Sequence, residues 1–366
     1  MKLPKLFFVF LIIAQAVITA GHFLLYQALI FFFPFFARHW LASLIALMAL
    51  SVSFLAASVF DFKSENEFLR GIYIIASVWV PTWFYLLLAA ALSSILYLLD
   101  PGIALTAIAT PIFLMAAVVV VYGIVNARYV RIVRFTAKLP NLPEYWKGKT
   151  AVLASDLHLG HILRASFAAA LVSRINALKP DMVLIPGDFF DGVHTDFPGL
   201  AAPFKNLRVK HGTYFCSGNH EQFAGMENCE RALRDIGITI LDNNKTEIAG
   251  LQIAGLGYAA RQTDADIASA LNSLSLDPHR PSILLKHVPD KIPAVAAAGI
   301  NLMLSGHSHD GQIWPGSLVT NKVWKGFGYG LKKFGQILVY TSSGAGTWGP
   351  PVRTFTKAEI VQITFE

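Results

Sequence analysis

Four long runs without a charged residue fill the first third of this 366-residue chain, and they limit its possible folds more than any other feature. A bilayer core about 30 Å thick is crossed by roughly 20 apolar residues in a helix. Leu6 to Phe36, Trp40 to Phe60, Gly71 to Leu99 and Ile103 to Val125 are each long enough. Asp100-Pro101-Gly102 is a turn signal, so the third and fourth runs are expected to form a tight hairpin. Pro81 and Pro111 fall inside these runs, where neighbouring helices can satisfy the carbonyls a proline frees. The opening Met-Lys-Leu-Pro-Lys has the form of a signal peptide, but the apolar run continues well past any cleavage point near Ala20. An uncleaved first span is the expectation. His22, in that span, reads as a neutral imidazole facing a neighbouring helix.

The charges divide the chain in the same place. Residues 1–140 carry nine Lys/Arg and four Asp/Glu, hence +5, whereas the remaining 226 carry 21 and 19, hence +2. The overall +7 therefore belongs mostly to membrane flanks, and no nucleic-acid partner is expected from it. Lys2, Lys5, Lys63, Arg70, Arg128, Arg131, Arg134 and Lys138 flank the spans on one side, against Arg38 alone on the other. That asymmetry predicts an inner-membrane protein with both ends of the four-span region, and the domain that follows, on the cytoplasmic face. Arg128 to Lys138 interleaves basic residues with Val130, Ile132, Val133 and Phe135. It reads either as an amphipathic stretch on anionic headgroups or as a frayed continuation of the fourth span. The organisation expected is a transmembrane region over 1–138, a linker over 139–149 marked by Pro140 and Pro143, and a water-soluble domain over 150–366.

From Thr150 short apolar runs alternate with helical patterns. Strands are expected at Ala151–Ala154, Met182–Ile185, Thr213–Cys216, Leu251–Ala254, Ser282–Leu285 and Leu302–Leu304. Helices are expected at Ser166–Leu178, Glu227–Ile236 and Ala265–Leu274. Cys216 and Cys229 have no metal or disulfide spacing and read as reduced, buried thiols.

The chemistry stands at the strand ends. After five of the six runs come Asp156-Leu157-His158, Gly187-Asp188-Phe189-Phe190-Asp191, Gly218-Asn219-His220-Glu221, Lys286-His287 and Gly306-His307-Ser308-His309. Alternation in Asp-x-His points both side chains the same way from an extended segment, so one loop can chelate one ion. Oxygen and imidazole donors together suit Mn, Fe or Zn better than Ca or Mg. Asp188, central in the order, can bridge two such ions about 3.5–4 Å apart. Gly187, Gly218 and Gly306 are expected to let the backbone turn sharply just ahead of the ligands. Each cluster alone is a weak signal; five in this order, each after a strand, are a strong one. His161, His194, His211 and His279 belong to none of them and read as surface or packing residues.

This series, Asp-x-His, Gly-Asp, Gly-Asn-His-Glu, His, Gly-His-x-His, resembles the calcineurin-like metallophosphoesterases over about residues 145–366. It is most similar to the membrane-attached YkuE-like and multi-span members, which share segments like Leu139-Pro140-Asn141-Leu142-Pro143 and Gly344-Ala345-Gly346 to Arg353. Two departures are Asp310, where a small residue is usual, and Lys357-Ala358-Glu359-Ile360, where a Pro-Glu pair is usual. The resemblance implies an α/β domain of two mixed β-sheets flanked by helices, with a dinuclear metal centre. Asp156, His158 and His309 would hold the first ion, Asn219, His287 and His307 the second, with Asp188 between them. His220 would stand beside the scissile phosphate as acid, oriented by Asp191. Relatives in this branch imply a lipid or nucleotide-lipid phosphoester as substrate, a phospholipid or a UDP-diacylglucosamine-type compound, cleaved at a diester or pyrophosphate bond. Trp314, Trp324, Phe327, Tyr329 and Phe334 read either as a loop that admits acyl chains or as ordinary aromatics. A phosphomonoesterase or protein phosphatase is the rival enzyme. A non-catalytic membrane sensor is disfavoured by the intact ligand set and by spans nearly free of ionisable groups.

Overall fold

The computed structural model describes residues 5–61, 66–192, 195–260 and 262–366; the readings of Lys2, Lys63 and His194 lie outside the described residues. The chain divides into two compact units, Met1–Val125 with Gly349–Val352, and Asn126–Trp348 with Arg353–Glu366.

Helices α1 (Lys5–Phe32), α2 (Pro34–Arg38), α3 (Trp40–Asp61), α4 (Glu67–Leu99) and α5 (Leu105–Ala127) make up the first unit. Among the described residues, four helices are long and apolar enough to cross a membrane. The first expected span is not one helix to Phe36. Phe33 is extended (φ −125°, ψ 113°), as the ring of Pro34 disfavours helical geometry in the residue before it. The third begins four residues earlier than Gly71, because the Asn66 side chain caps it by accepting from Phe68 N at 2.8 Å. Pro81 and Pro111 sit inside unbroken helices. The hairpin turn closes on Asp100, whose Oδ1 accepts from Gly102 N at 3.0 Å. His22 is buried and fully used: Nδ1 donates to Ile18 O (2.8 Å), Nε2 accepts from Trp79 Nε1 (2.9 Å), and the ring stacks on Trp83. A Cβ at Gly21 would come within 2.4 Å of Trp83, so only glycine permits that approach.

The second unit contains two six-stranded mixed sheets. The strands are β1 (Val130–Ala137), β2 (Thr150–Leu153), β3 (Met182–Pro186), β4 (Thr213–Cys216), β5 (Ile238–Ile240), β6 (Asn244–Ile248), β7 (Leu251–Leu256), β8 (Ser282–Lys286), β9 (Leu302–Ser305), β10 (Gly330–Phe334), β11 (Ile337–Thr341) and β12 (Ala358–Phe365). One sheet runs β1-β12-β2-β3-β4-β5 and the other β10-β11-β9-β8-β7-β6. Strands β2 to β5 are parallel, as are β7, β8, β9 and β11, so their carboxyl ends share an edge within each sheet.

Strands buried on both faces read as continuous apolar runs, which is why the six expected strands are found where the sequence placed them. Side chains alternate between layers. Ala151 and Leu153 enter the core between the sheets with Leu184, Cys216, Ile283 and Leu302, whereas Val152 and Ala154 face the outer core. Helices α6 (Ala165–Ala177), α7 (Phe197–Ala201) and α9 (Met226–Arg234) cover the first sheet; α10 (Asp264–Ser273) and α11 (Ile292–Ala297) cover the second. The unit also includes the short helices α8 (Asn219–Ala224) and α12 (Gly316–Val323).

One segment differs from both readings offered for it. Val130–Ala137 is neither a free amphipathic stretch nor a frayed continuation of α5; it pairs in parallel with β12, from Val130↔Ala358 to Ala137↔Phe365. Its β-branched and aromatic residues pack on two cores, Val130 and Ile132 on one side and Val133 and Phe135 on the other. The stretch read as a linker is likewise built in: Trp146 is fully buried, stands edge-on to Phe365 and donates from Nε1 to Ile248 O at 2.9 Å.

Candidate metal centre

All five strand-end clusters converge. Asp156 and His158 follow β2, Asp188 follows β3, Asn219 and His220 open α8 after β4, His287 follows β8, and His307 and His309 follow β9. Their donor atoms form two groups. Asp156, His158 and His309 offer ligand atoms within 4.8 Å of one another, and so do Asp188, His287 and His307. Asn219 joins the second group, its Oδ1 3.1 Å from His287 Nε2. Asp188 Oδ2 stands between the groups, 3.1 Å from His287 Nε2 and 3.8 Å from His158 Nε2.

The backbone bends hard to achieve this. Asp156, His158, Asp188, His307 and His309 all have φ between 47° and 70°, a region L-residues rarely occupy. Such strain persists only where surrounding structure enforces it, and it concentrates at functional sites. Only Gly187 turns as the sequence reading expected, with φ 86°. Gly218 has φ −105° and serves by being small: a Cβ there would meet Asp188 Oδ1 at 2.2 Å, and one on Gly306 would meet Asp156 Oδ2 at 2.1 Å.

Backbone amides hold the carboxylates. Asp156 Oδ1 accepts from His307 N (2.8 Å), Asp156 Oδ2 from the Ser155 hydroxyl, and Asp188 Oδ1 from His220 N (2.9 Å). Beneath them lies a residue to which the sequence reading gave no role. Glu221, fully buried, accepts from the N–H groups of Gly218, Asp188, Phe189 and Phe190 at 2.8–3.1 Å and so fixes the Asp188 loop. Burial pushes its carboxyl up to about 7, aided by the Asp188 charge and opposed by those N–H donors. Arg353, the last residue of the Gly344–Arg353 segment, is a second such support. It is also fully buried, donating to the carbonyls of His309, Ser343, Gly346 and Lys357. Through Gly346 and Ala345, whose amides bond Asp156 O and Ser155 O, it clamps the Asp-x-His loop. A repeated cluster flags candidate ligands; nothing in the linear pattern flags such supports.

Does this pocket fit metal ions? His287 Nδ1 donates to Pro186 O at 2.8 Å, so neutral His287 turns a lone pair at Nε2 toward Asp188 Oδ2 and Asn219 Oδ1. Three acceptors facing one another call for a cation. With only protons to supply it, His287 takes the charge itself: burial opposes protonation, but Asp188 and Asp156 outweigh it and raise the imidazole to about 9. A divalent ion held there would take the place of that proton. Burial holds His158 at about 4 and His307 at about 3, so both rings are neutral with lone pairs available. The donor set fits.

His220 differs. Its Nδ1 donates to Asp191 Oδ1 at 3.0 Å, and its ring stands edge-on to His158 at 4.5 Å. Burial again opposes the charged form, but the Asp191 hydrogen bond and the charges of Asp188, Asp191 and Glu221 raise it to about 9. His211 and His279, by contrast, sit away from the cluster, His211 on the Tyr145 hydroxyl. Both cysteines are buried, and burial raises both thiols far from the thiolate form a nucleophile needs. Of the flagged aromatics, Trp324 lies edge-on to His307 (5.6 Å), and Phe327 and Phe334 line a neighbouring cavity. The Tyr329 hydroxyl donates to buried Glu359.

Comparison with known proteins agrees with this geometry. The calcineurin-like phosphoesterase family matches residues 150–311. A Campylobacter jejuni protein named as an uncharacterized metallophosphoesterase is 31% identical, covering 85% of this chain and 86% of its own. One from Helicobacter pylori strain J99 is 37% identical over 218 residues, 58% of each chain, so the match spans little more than half of that relative. A Danio rerio transmembrane protein with metallophosphoesterase domain is 32% identical, covering 69% of this chain and 61% of its own.

Proposed function

Because the chain belongs to the calcineurin-like metallophosphoesterases, we propose that it is a membrane-anchored phosphoesterase that cleaves a phosphodiester or pyrophosphate bond in a lipid or lipid-linked substrate. The observation that carries this is the pair of ligand groups meeting at Asp188 Oδ2. In this reading Asp156, His158 and His309 hold one divalent ion, Asn219, His287 and His307 the other, and Asp188 both. Bound there, two ions of the Mn, Fe or Zn type would supply hydroxide near neutral pH and clamp the phosphate oxygens as charge develops. Asp188 and Asp156 keep the pocket anionic and ready for cations. His220, held by Asp191 through Nδ1, carries its transferable proton on Nε2 for the departing oxygen. No side-chain nucleophile is needed. The lipid assignment draws on four membrane-length helices, with only Arg128 and Tyr129 between α5 and the first strand of the metal-bearing unit. The positive flanks favour the cytoplasmic face, which a C-terminal reporter active only outside the cytoplasm would refute.

The purified full-length chain, loaded with Mn or Zn, should hydrolyse a generic phosphodiester and, better, a glycerophospholipid or a sugar-nucleotide lipid. Preference for a soluble monoester would overturn the bond assignment. His220→Ala should retain both ions yet lose about 10²–10⁴ in kcat, the usual worth of a positioned acid. Asp191 raises the His220 pKa, so Asp191→Asn should move the alkaline limb of the pH–rate profile to lower pH. An unmoved limb would remove Asp191 from this role.

A further inference from the structure

Helix α12 is inverted relative to an ordinary surface helix. Its apolar residues Leu318, Val319 and Val323 are 65%, 60% and 57% exposed, and none of its residues is buried. With Lys322, also exposed, they occupy one outward arc of the helix. The edge strand β10 shows the same mixture, with Leu331, Lys332, Lys333 and Phe334 all exposed. The two elements meet around a cavity of about 430 Å³ walled by Val323, Trp324, Phe327 and Phe334. This cavity shares Trp324, Asp290 and Lys291 with a second, of about 300 Å³, that His287 and His307 line. A scattered exposed leucine needs no explanation; a helix whose apolar residues all face outward does.

Charge selects the occupant. No Asp or Glu occurs between Asp310 and Glu359, while Lys322, Lys325, Lys332 and Lys333 lie on these two elements or just beyond them. A second copy of this chain would oppose the same lysines to one another and be repelled. An anionic bilayer accepts them, at its phosphates, together with apolar side chains at the headgroup–acyl boundary. We propose that the lobe formed by α12 and β10 rests on an anionic lipid surface, with Leu318, Val319 and Val323 inserted and the four lysines on the headgroups. This adds a lipid contact made by the metal-bearing unit itself, and it holds whether or not the substrate is a lipid.

The test reads lipid contact without turnover. Full-length Leu318→Cys protein is labelled with an environment-sensitive fluorophore and placed in nanodiscs of phosphatidylglycerol or phosphatidylcholine; Cys216 and Cys229 are fully buried, which directs the label to position 318. In phosphatidylglycerol the emission should shift to the blue and fall about twofold or more when the acyl chains carry a doxyl quencher. Lys322→Glu with Lys325→Glu should reverse both effects, as should phosphatidylcholine. Water-like emission with full access to iodide in phosphatidylglycerol would overturn the proposal. So would a blue shift insensitive to lipid-borne quencher, which would mean that a protein covers the helix.

Discussion

Exchanging Asp188 for asparagine should cut hydrolysis about a thousandfold or more, since each 1.36 kcal/mol of lost transition-state stabilisation is tenfold and a metal clamp is worth several. The bound metal should fall from two ions to one or none. The substitution is nearly isosteric, and the amide oxygen can still accept from His220 N as Asp188 Oδ1 does at 2.9 Å. What disappears is the second anionic oxygen, the atom 3.1 Å from His287 and 3.8 Å from His158 through which the two ligand groups meet. In its place stands an NH₂ that cannot ligate, facing imidazoles that lose the charge attracting a cation. His287 owes its raised pKa first to Asp188 among its favourable partners, so its affinity for any positive charge drops as well. Metal content by elemental analysis, kcat on the best substrate and a melting curve together decide the matter. Two ions retained with near-normal turnover would show that the groups work independently, and the dinuclear reading would fail.

The sequence disclosed the clustered Asp, His and Asn side chains more fully than the residues that support them, for a physical reason. Metal chemistry restricts residue type, so Asp156, His158, Asp188, Asn219, His287, His307 and His309 stand out against apolar strands even before any fold is known. Strands β2, β3, β4, β7, β8 and β9 were legible because burial on both faces demands unbroken apolar runs. Strand β1 was hidden. Its Arg131 and Arg134 look like the positive flank of a span, and the evidence that it is a strand lies in β12, at the other end of the domain. The break at Phe33 was readable from Pro34, yet the hydropathy of the run concealed it. The positive φ angles at Asp156, His158 and His307 had no local cue, since residue preference does not lead these side chains there; at Asp156 the backbone of Gly344–Gly346 packs directly against the residue.

Glu221 tests whether those supports matter as much as the ligands. Glu221→Gln keeps the volume but leaves one acceptor oxygen where there were two, and it turns an NH₂ group toward backbone N–H donors. The four amides now held at 2.8–3.1 Å come from Gly218, Asp188, Phe189 and Phe190, so at least one side of the Asp188 loop is released. A buried donor left without a partner costs about 1–3 kcal/mol, and two are stranded whichever oxygen is replaced, so a loss of roughly 2–6 kcal/mol in stability is expected. Metal affinity should fall about 10–100-fold, the usual consequence of removing a group that orients ligands. Glu221 belongs to none of the candidate ligand groups, so metal titration separates the two explanations. Lower stability with unchanged metal affinity would make Glu221 a core residue only. Weakened binding, relieved at high metal concentration with restored turnover, would show that the strained Asp188 loop is held in its ligating shape from below.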